Sequence, residues 1–209
     1  MKKDYTHIGM LIDRSGSMTN LKAAMEEAYA GFIYNQKRQP GTATFSLVEF
    51  DNETTVLHWF QDLSRVPEHF ELIPRDSTAL YDALGEFIID TGKKLVSLPE
   101  DQRPSKVVVL ILTDGEENAS REFSSDNIKK MIEEQQNKYS WEFIFMGANQ
   151  DAVLEAKKIG INSNNSITFG ANRMGVRNAV ASATHAVSQT RTGNFNGFSD
   201  EDRKQANSG

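Results

Sequence analysis

Cysteine is absent from the 209 residues, which removes disulfide scaffolds, thiolate zinc sites and cysteine nucleophiles from consideration. That absence fits a reducing compartment, and a cytoplasmic location is the expectation. No apolar run approaches the roughly 18 residues needed to cross a bilayer. Met1-Lys2-Lys3 opens like the basic end of a secretory signal, yet Asp4 follows, and the next apolar run, His7–Ile12, is shorter than the roughly 7–15 residues of a signal core. No membrane partner is expected. Basic clusters are missing too, and the net charge is −6; both argue against nucleic acid as a partner. The chain has no Gly-x-x-x-x-Gly-Lys phosphate loop and no Gly-x-Ser-x-Gly nucleophile elbow. Its histidines, His7, His58, His69 and His185, are scattered, and the first two fall on strand-like segments where a structural role is the usual one.

What remains is a sequence with 38% hydrophobic and 25% charged residues, suited to one soluble domain with an ordinary core. Strand-like and helix-like segments alternate, the pattern of an α/β fold with a parallel sheet. His7–Ile12 reads as a strand buried on both faces. Leu21, Ala24, Met25, Ala28, Tyr29, Phe32 and Ile33 come next with helical spacing until Pro40-Gly41. Thr44–Phe50 and Thr54–Phe60 are separated only by Asp51-Asn52-Glu53, so they must pair antiparallel as a hairpin at one sheet edge. A helix carrying Leu80, Ala83, Leu84, Phe87, Ile88 and Leu95 succeeds them, then the apolar strand Val107–Leu112. Ile128, Met131, Ile132 and Tyr139 mark another helix, with Ser124, Ser125 and Asp126 as candidate caps. A strand at Trp141–Gly147, a short helix around Ala152–Ile159 and a short strand at Ile167–Phe169 complete the regular part. Composition shifts near Gly170. The expected division is therefore a domain over residues 1–170 and an extension over 171–209, with a weak helix at Val176–Gln189 followed by a flexible tail.

The chemistry gathers at strand ends. The first buried strand runs into Asp13-Arg14-Ser15-Gly16-Ser17, and the second, Val107–Leu112, into Thr113-Asp114-Gly115. A single aspartate in such a place is more often a cap or turn former. Two buried strands that each deliver one to the carboxyl edge, where open α/β sheets bind ligands, are hard to explain by packing alone. Thr78 lies in a third loop, Pro74–Thr78, opening a helix. The candidate ligands Asp13, Ser15, Ser17, Thr78 and Asp114 offer only carboxylate and hydroxyl oxygens. Such a set suits Mg²⁺, Mn²⁺ or Ca²⁺ and does not suit Zn²⁺ or Cu²⁺. With so few carboxylates the ion stays under-neutralised and seeks an oxygen anion from outside, such as a partner's Asp or Glu or a phosphate.

These motifs, taken together and in this order, resemble the metal-ion-dependent adhesion site (MIDAS) of von Willebrand factor A domains, over roughly residues 5 to 160. The resemblance implies a Rossmann-like, doubly wound, mostly parallel sheet with one antiparallel edge strand and helices on both faces. It also implies that Ser15, Ser17 and Thr78 touch the ion directly while Asp13 and Asp114 act through water or by orienting the hydroxyls. A bacterial or phage member is expected. One departure is Asp76, where the family often has glycine: it either adds a carboxylate to the ion or caps the adjoining helix. Asp82 is placed to anchor the loop, and Glu116, Glu117 and Asn118 to rim the site as a solvated loop.

The leading functional expectation is a non-enzymatic, divalent-cation-dependent protein-binding module in which a partner's Asp or Glu completes the coordination. Two alternatives stay open: a metal-assisted hydrolase or phosphoryl-transfer enzyme, and a structural or assembly subunit of a phage or bacterial complex whose metal only stiffens the loops. Fold-level analogy does not choose between them.

Overall fold

The computed structural model describes residues 1–75, 77–148 and 152–208. Its centre is a six-stranded sheet built from β1 (Lys2–Asp13), β2 (Thr42–Phe50), β3 (Thr54–Asp62), β4 (Pro104–Thr113), β5 (Glu142–Ala148) and β6 (Ser166–Phe169). The spatial order is β3-β2-β1-β4-β5-β6. All neighbours run parallel except β2 and β3, which form the expected edge hairpin with Phe50 opposite Thr54. The register of β2 with β3 is irregular around Leu47, as at a β-bulge.

Helices cover both faces, which is why the central strands read as unbroken apolar runs. On one face lie α1 (Lys22–Lys37) and the long helix α5 (Arg173–Thr192), packed on Ile8, Met10 and Ile12 of β1 and on Val108, Leu110 and Leu112 of β4. The other face carries α2 (Leu80–Ser97), α3 (Ser125–Tyr139) and α4 (Ala152–Lys158), packed on Leu11, Val109 and Ile111. Gly9 permits a close approach: a Cβ there would run into the Phe87 ring of α2. No helix among the described residues is long and apolar enough to cross a membrane.

The largest departure from expectation lies after Gly170. No break in the core separates residues 1–170 from the C-terminal segment. Helix α5 runs for 20 residues, capped by the Asn172 side chain on the Gly175 amide and closed by Gly193 in the left-handed region (φ 83°). Val176, Ala179, Val180, Ala183, Ala186 and Val187 are buried in the same core as β1 and α1. Small side chains give a faint hydrophobic stripe in the sequence, yet they let the helix lie close against α1. The expected flexible tail is likewise structured. Its last helix, α6 (Asp200–Asn207), starts at a Ser199/Asp202 capping box and buries Ala206. The Gly170 amide donates to the Ala206 carbonyl (3.1 Å), and the Arg203 guanidinium donates to the carbonyls of Ser166 (2.5 Å) and Ser163 (2.9 Å). Hydrogen bonds to backbone carbonyls, with Ala206 as the one buried apolar residue of the helix, hold α6 in place, and no hydrophobic pattern announces them.

Candidate metal centre

The strand order places the candidate residues. β1 is flanked by β2 on one side and β4 on the other, so the connections leaving their carboxyl ends diverge and open a crevice. Asp13 ends β1 and Thr113 ends β4. Beyond Asp13, Ser15 stands in extended backbone and starts a short 3₁₀ turn, Gly16–Asn20, anchored by the buried Met18. The second loop enters through Thr78, just before α2, and the third leaves β4 through Asp114 and Gly115.

Side chains from the three loops meet there. Both Asp13 oxygens are engaged: Oδ1 accepts the Ser15 amide at 2.7 Å and Oδ2 accepts the Thr113 hydroxyl at 2.6 Å. The Ser15 and Ser17 hydroxyls share a hydrogen bond at 3.0 Å, and Ser17 Oγ donates to Asp114 Oδ1 at 2.6 Å. Gly115 locates Thr78 in the group. A Cβ on Gly115 would lie 2.8 Å from Thr78 Oγ1, 3.6 Å from Asp13 Oδ2 and 3.7 Å from Ser15 Oγ. Three oxygens from three side chains thus surround one point that any residue larger than glycine would fill. The structure brings Asp13, Ser15, Ser17, Thr78 and Asp114 together; Asp76 lies outside the described residues.

Asp13 and Asp114 both resist ionisation in the absence of a counter-charge. Burial pushes the Asp13 carboxyl up to about 6 even though the Thr113 hydroxyl and the Ser15 amide pull it back, and burial also raises Asp114. The nearby guanidiniums are engaged elsewhere: Arg14 pairs with Asp51 and Glu49, and Arg75 with Asp51 and Glu53. Among the described residues no group of three or more His, Cys, Asp or Glu is placed to share a metal ion. An ion held here would therefore depend on hydroxyls as much as on carboxylates, which fits a hard cation and its oxygen ligands.

Several residues around the site are held by partners that the sequence does not reveal. Glu117, expected in a solvated loop, is tied in: its oxygens accept the amides of Ala119 (2.9 Å), Ser120 (2.7 Å) and Tyr81 (3.0 Å), and the Ser120 hydroxyl (2.8 Å). Asp82 anchors the third loop rather than the second, accepting the amides of Arg121, Glu122 and Phe123 at 2.7, 3.0 and 2.9 Å. Glu116 and Asn118 are exposed as expected, but the Asn118 side chain also accepts the Thr78 amide at 3.1 Å. Thr113, Arg14 and Arg75 could have been noticed only as neighbours of the motif residues.

The family model of the von Willebrand factor type A domain matches residues 7–189. No curated protein sequence matches the chain. Among solved structures, proximal thread matrix protein 1 from the mussel byssus is similar with a TM-score of 0.62 at 15% identity, over 91% of this chain and 47% of that one. A further structure of the mussel protein, described with a zinc-occupied MIDAS motif, gives 0.63 at 14% identity, over 90% and 47%. The vWF domain of the type V pili tip protein Mfa5 from Porphyromonas gingivalis gives 0.61 at 12% identity, over 94% and 98%. At these identities the likeness is one of fold. This chain spans about half the length of the mussel protein (47%) and nearly all of the pilus-tip domain (98%).

Proposed function

Since the chain belongs to the von Willebrand factor type A family, we propose that it is a divalent-cation-dependent protein-binding module whose partner supplies an Asp or Glu carboxylate. One observation carries this reading: hydroxyls and carboxylates from three loops converge around the Gly115 cradle at the crevice of the sheet. Ser15, Ser17 and Thr78 would hold the ion directly. Asp13, fixed by Thr113 and the Ser15 amide, and Asp114, fixed by Ser17, would orient those hydroxyls and supply counter-charge. When bound, the ion would supply a positive charge that an external carboxylate could neutralise.

Mg²⁺, Mn²⁺ and Ca²⁺ suit the donors; Zn²⁺ belongs in the test because the mussel protein of this fold is described with it. Chelator-stripped protein is titrated with each ion by calorimetry, beside the double variant Asp13→Ala/Ser15→Ala. Saturable uptake at one site, lost in the variant, is the expected result. Binding to an array of acidic peptides should then vanish with EDTA and when the peptide's Asp is replaced by Asn. Uptake that is unchanged in the variant would sink the reading. No observation favours the metal-assisted hydrolytic or phosphoryl-transfer alternative: the guanidiniums nearest the site, Arg14 and Arg75, are paired with Glu49, Asp51 and Glu53 rather than turned to clamp a phosphoryl group.

A further inference from the structure

We infer that Asp51, gripped by Arg14 and Arg75, is a positioning clasp that holds the first and second loops where Ser15, Ser17 and Thr78 meet. This rests on the metal-binding reading above and adds residues outside its donor set. Asp51 directly succeeds β2, one strand away from the crevice, and its side chain is fully buried. Arg14 Nε and Arg75 Nε both donate to Asp51 Oδ2, at 2.9 and 2.7 Å, and Arg75 also reaches Oδ1 at 3.3 Å. The Glu53 amide completes Oδ1 at 2.7 Å.

Backbone contacts run alongside these ion pairs. The Arg75 amide donates to the Arg14 carbonyl (2.7 Å), and the Ala79 amide donates to the Asp51 carbonyl (2.7 Å). Arg14 stands between Asp13 and Ser15, and Ala79 is the residue after Thr78. Asp51 therefore holds a neighbour of Ser15 with its carboxylate and a neighbour of Thr78 with its carbonyl. Glu49 (3.4 Å) and the Thr55 hydroxyl (2.9 Å) orient the far end of Arg14.

Charge makes the clasp specific. Two guanidiniums share one carboxylate oxygen, so without Asp51 they would repel, and each carries a loop with it. Apolar residues could seal this edge as firmly, but they would not fix the two loops against each other at hydrogen-bond precision.

The test compares Asp51→Asn, Arg75→Ala and Arg75→Lys with the wild type. Arg191→Met, a change at the opposite end of the strands, serves as the stability control. The Arg75 side chain is 42% exposed, so its truncation leaves a folded protein even if Asp51→Asn does not fold. By Mg²⁺ calorimetry, Asp51→Asn and Arg75→Ala should bind at least about tenfold more weakly, with partial recovery in Arg75→Lys and wild-type affinity in Arg191→Met. In metal-free protein, the Arg75 and Ala79 amides of Asp51→Asn should exchange hydrogen at least about tenfold faster, while those of Val109 and Ile111 in β4 stay protected. Affinity within about twofold of wild type in both Asp51→Asn and Arg75→Ala overturns the clasp, as does an equal loss in Arg191→Met. Should the wild type take up none of Mg²⁺, Mn²⁺, Ca²⁺ and Zn²⁺, the metal reading falls. Hydrogen exchange then decides the clasp alone, and unchanged protection of Arg75 and Ala79 overturns it.

Discussion

His7 lies fully buried on β1, its ring stacked on Phe60 at a centroid distance of 3.7 Å. Nδ1 meets the Thr44 hydroxyl at 3.0 Å, while Nε2 has no partner among the described residues. Burial holds its pKa down at about 3, below the ordinary 6.5. The folded protein therefore keeps His7 neutral where the unfolded chain would protonate it. This contribution to stability is complete above about pH 6.5 and is lost as pH falls toward 3, at about 1.4 kcal/mol per pH unit. In His7→Gln the acid limb of the stability curve between pH 6 and 4 should be shallower by about that slope, measured by denaturant unfolding at each pH. An unchanged slope would show that His7 is not the group responsible. The same scale explains what the sequence reveals of the site. Asp13, Ser15, Ser17 and Asp114 stand out because each sits at or just beyond the end of a buried strand, where local order alone displays them. Asp51 does not, and Glu117 and Asp82 show only as neighbours of the motifs, because what each of them holds lies up to about 40 residues away, the separation of Asp82 from Phe123 being 41.

At the level of elements, legibility depends on the strength of the apolar pattern. β1, β4 and α2 are recognisable from runs or stripes of large side chains, and the hairpin β2–β3 from the short turn between its strands. Helix α5 is faint because alanine and serine pack it closely, and α6 is silent because polar bonds dock it. The junction of α1 with α5 shows the same dependence on polar contacts. Arg191, buried near the end of α5, donates to the carbonyls of Gln36 (2.7 Å) and Pro40 (3.0 Å) at the end of α1, and Gln36 answers with a bond to the Thr184 carbonyl (2.8 Å). No carboxylate faces this guanidinium among its hydrogen-bond partners in the described residues, and burial lowers its pKa. Its charge is spent on carbonyls that a helix end leaves unsatisfied. Arg191→Met should lower stability by about 2–3 kcal/mol, the range for losing hydrogen bonds to a charged group and stranding their buried acceptors. A chemical-denaturation midpoint that does not move would show that water takes over those carbonyls at no cost.

For the whole molecule, the strand order matters more than any one element. Asp13 and Thr113 are 100 residues apart in the chain, and they meet because β1 and β4 are neighbours at the point where the connections diverge. Composition and periodicity do not dictate that adjacency; it emerges only when both faces of the sheet are covered. One of those faces is completed by the segment beyond Gly170. Val176, Val180 and Val187 of α5 are buried against the strands and α1, each contributing about 1.5 kcal/mol or more to a domain whose total stability is about 5–15 kcal/mol. Removing residues 171–209 would strip the cover from Val108, Leu110 and Ile144, which share that core, and expose a broad apolar face. A chain ending at Gly170 should therefore lack a cooperative thermal transition and self-associate, whereas one ending at Gly193 should still melt cooperatively at a lower temperature. Circular dichroism melts and light scattering on the two truncations separate these outcomes. A cooperative melt of the shorter chain would mean that α5 only decorates the domain and that the metal centre can form without it.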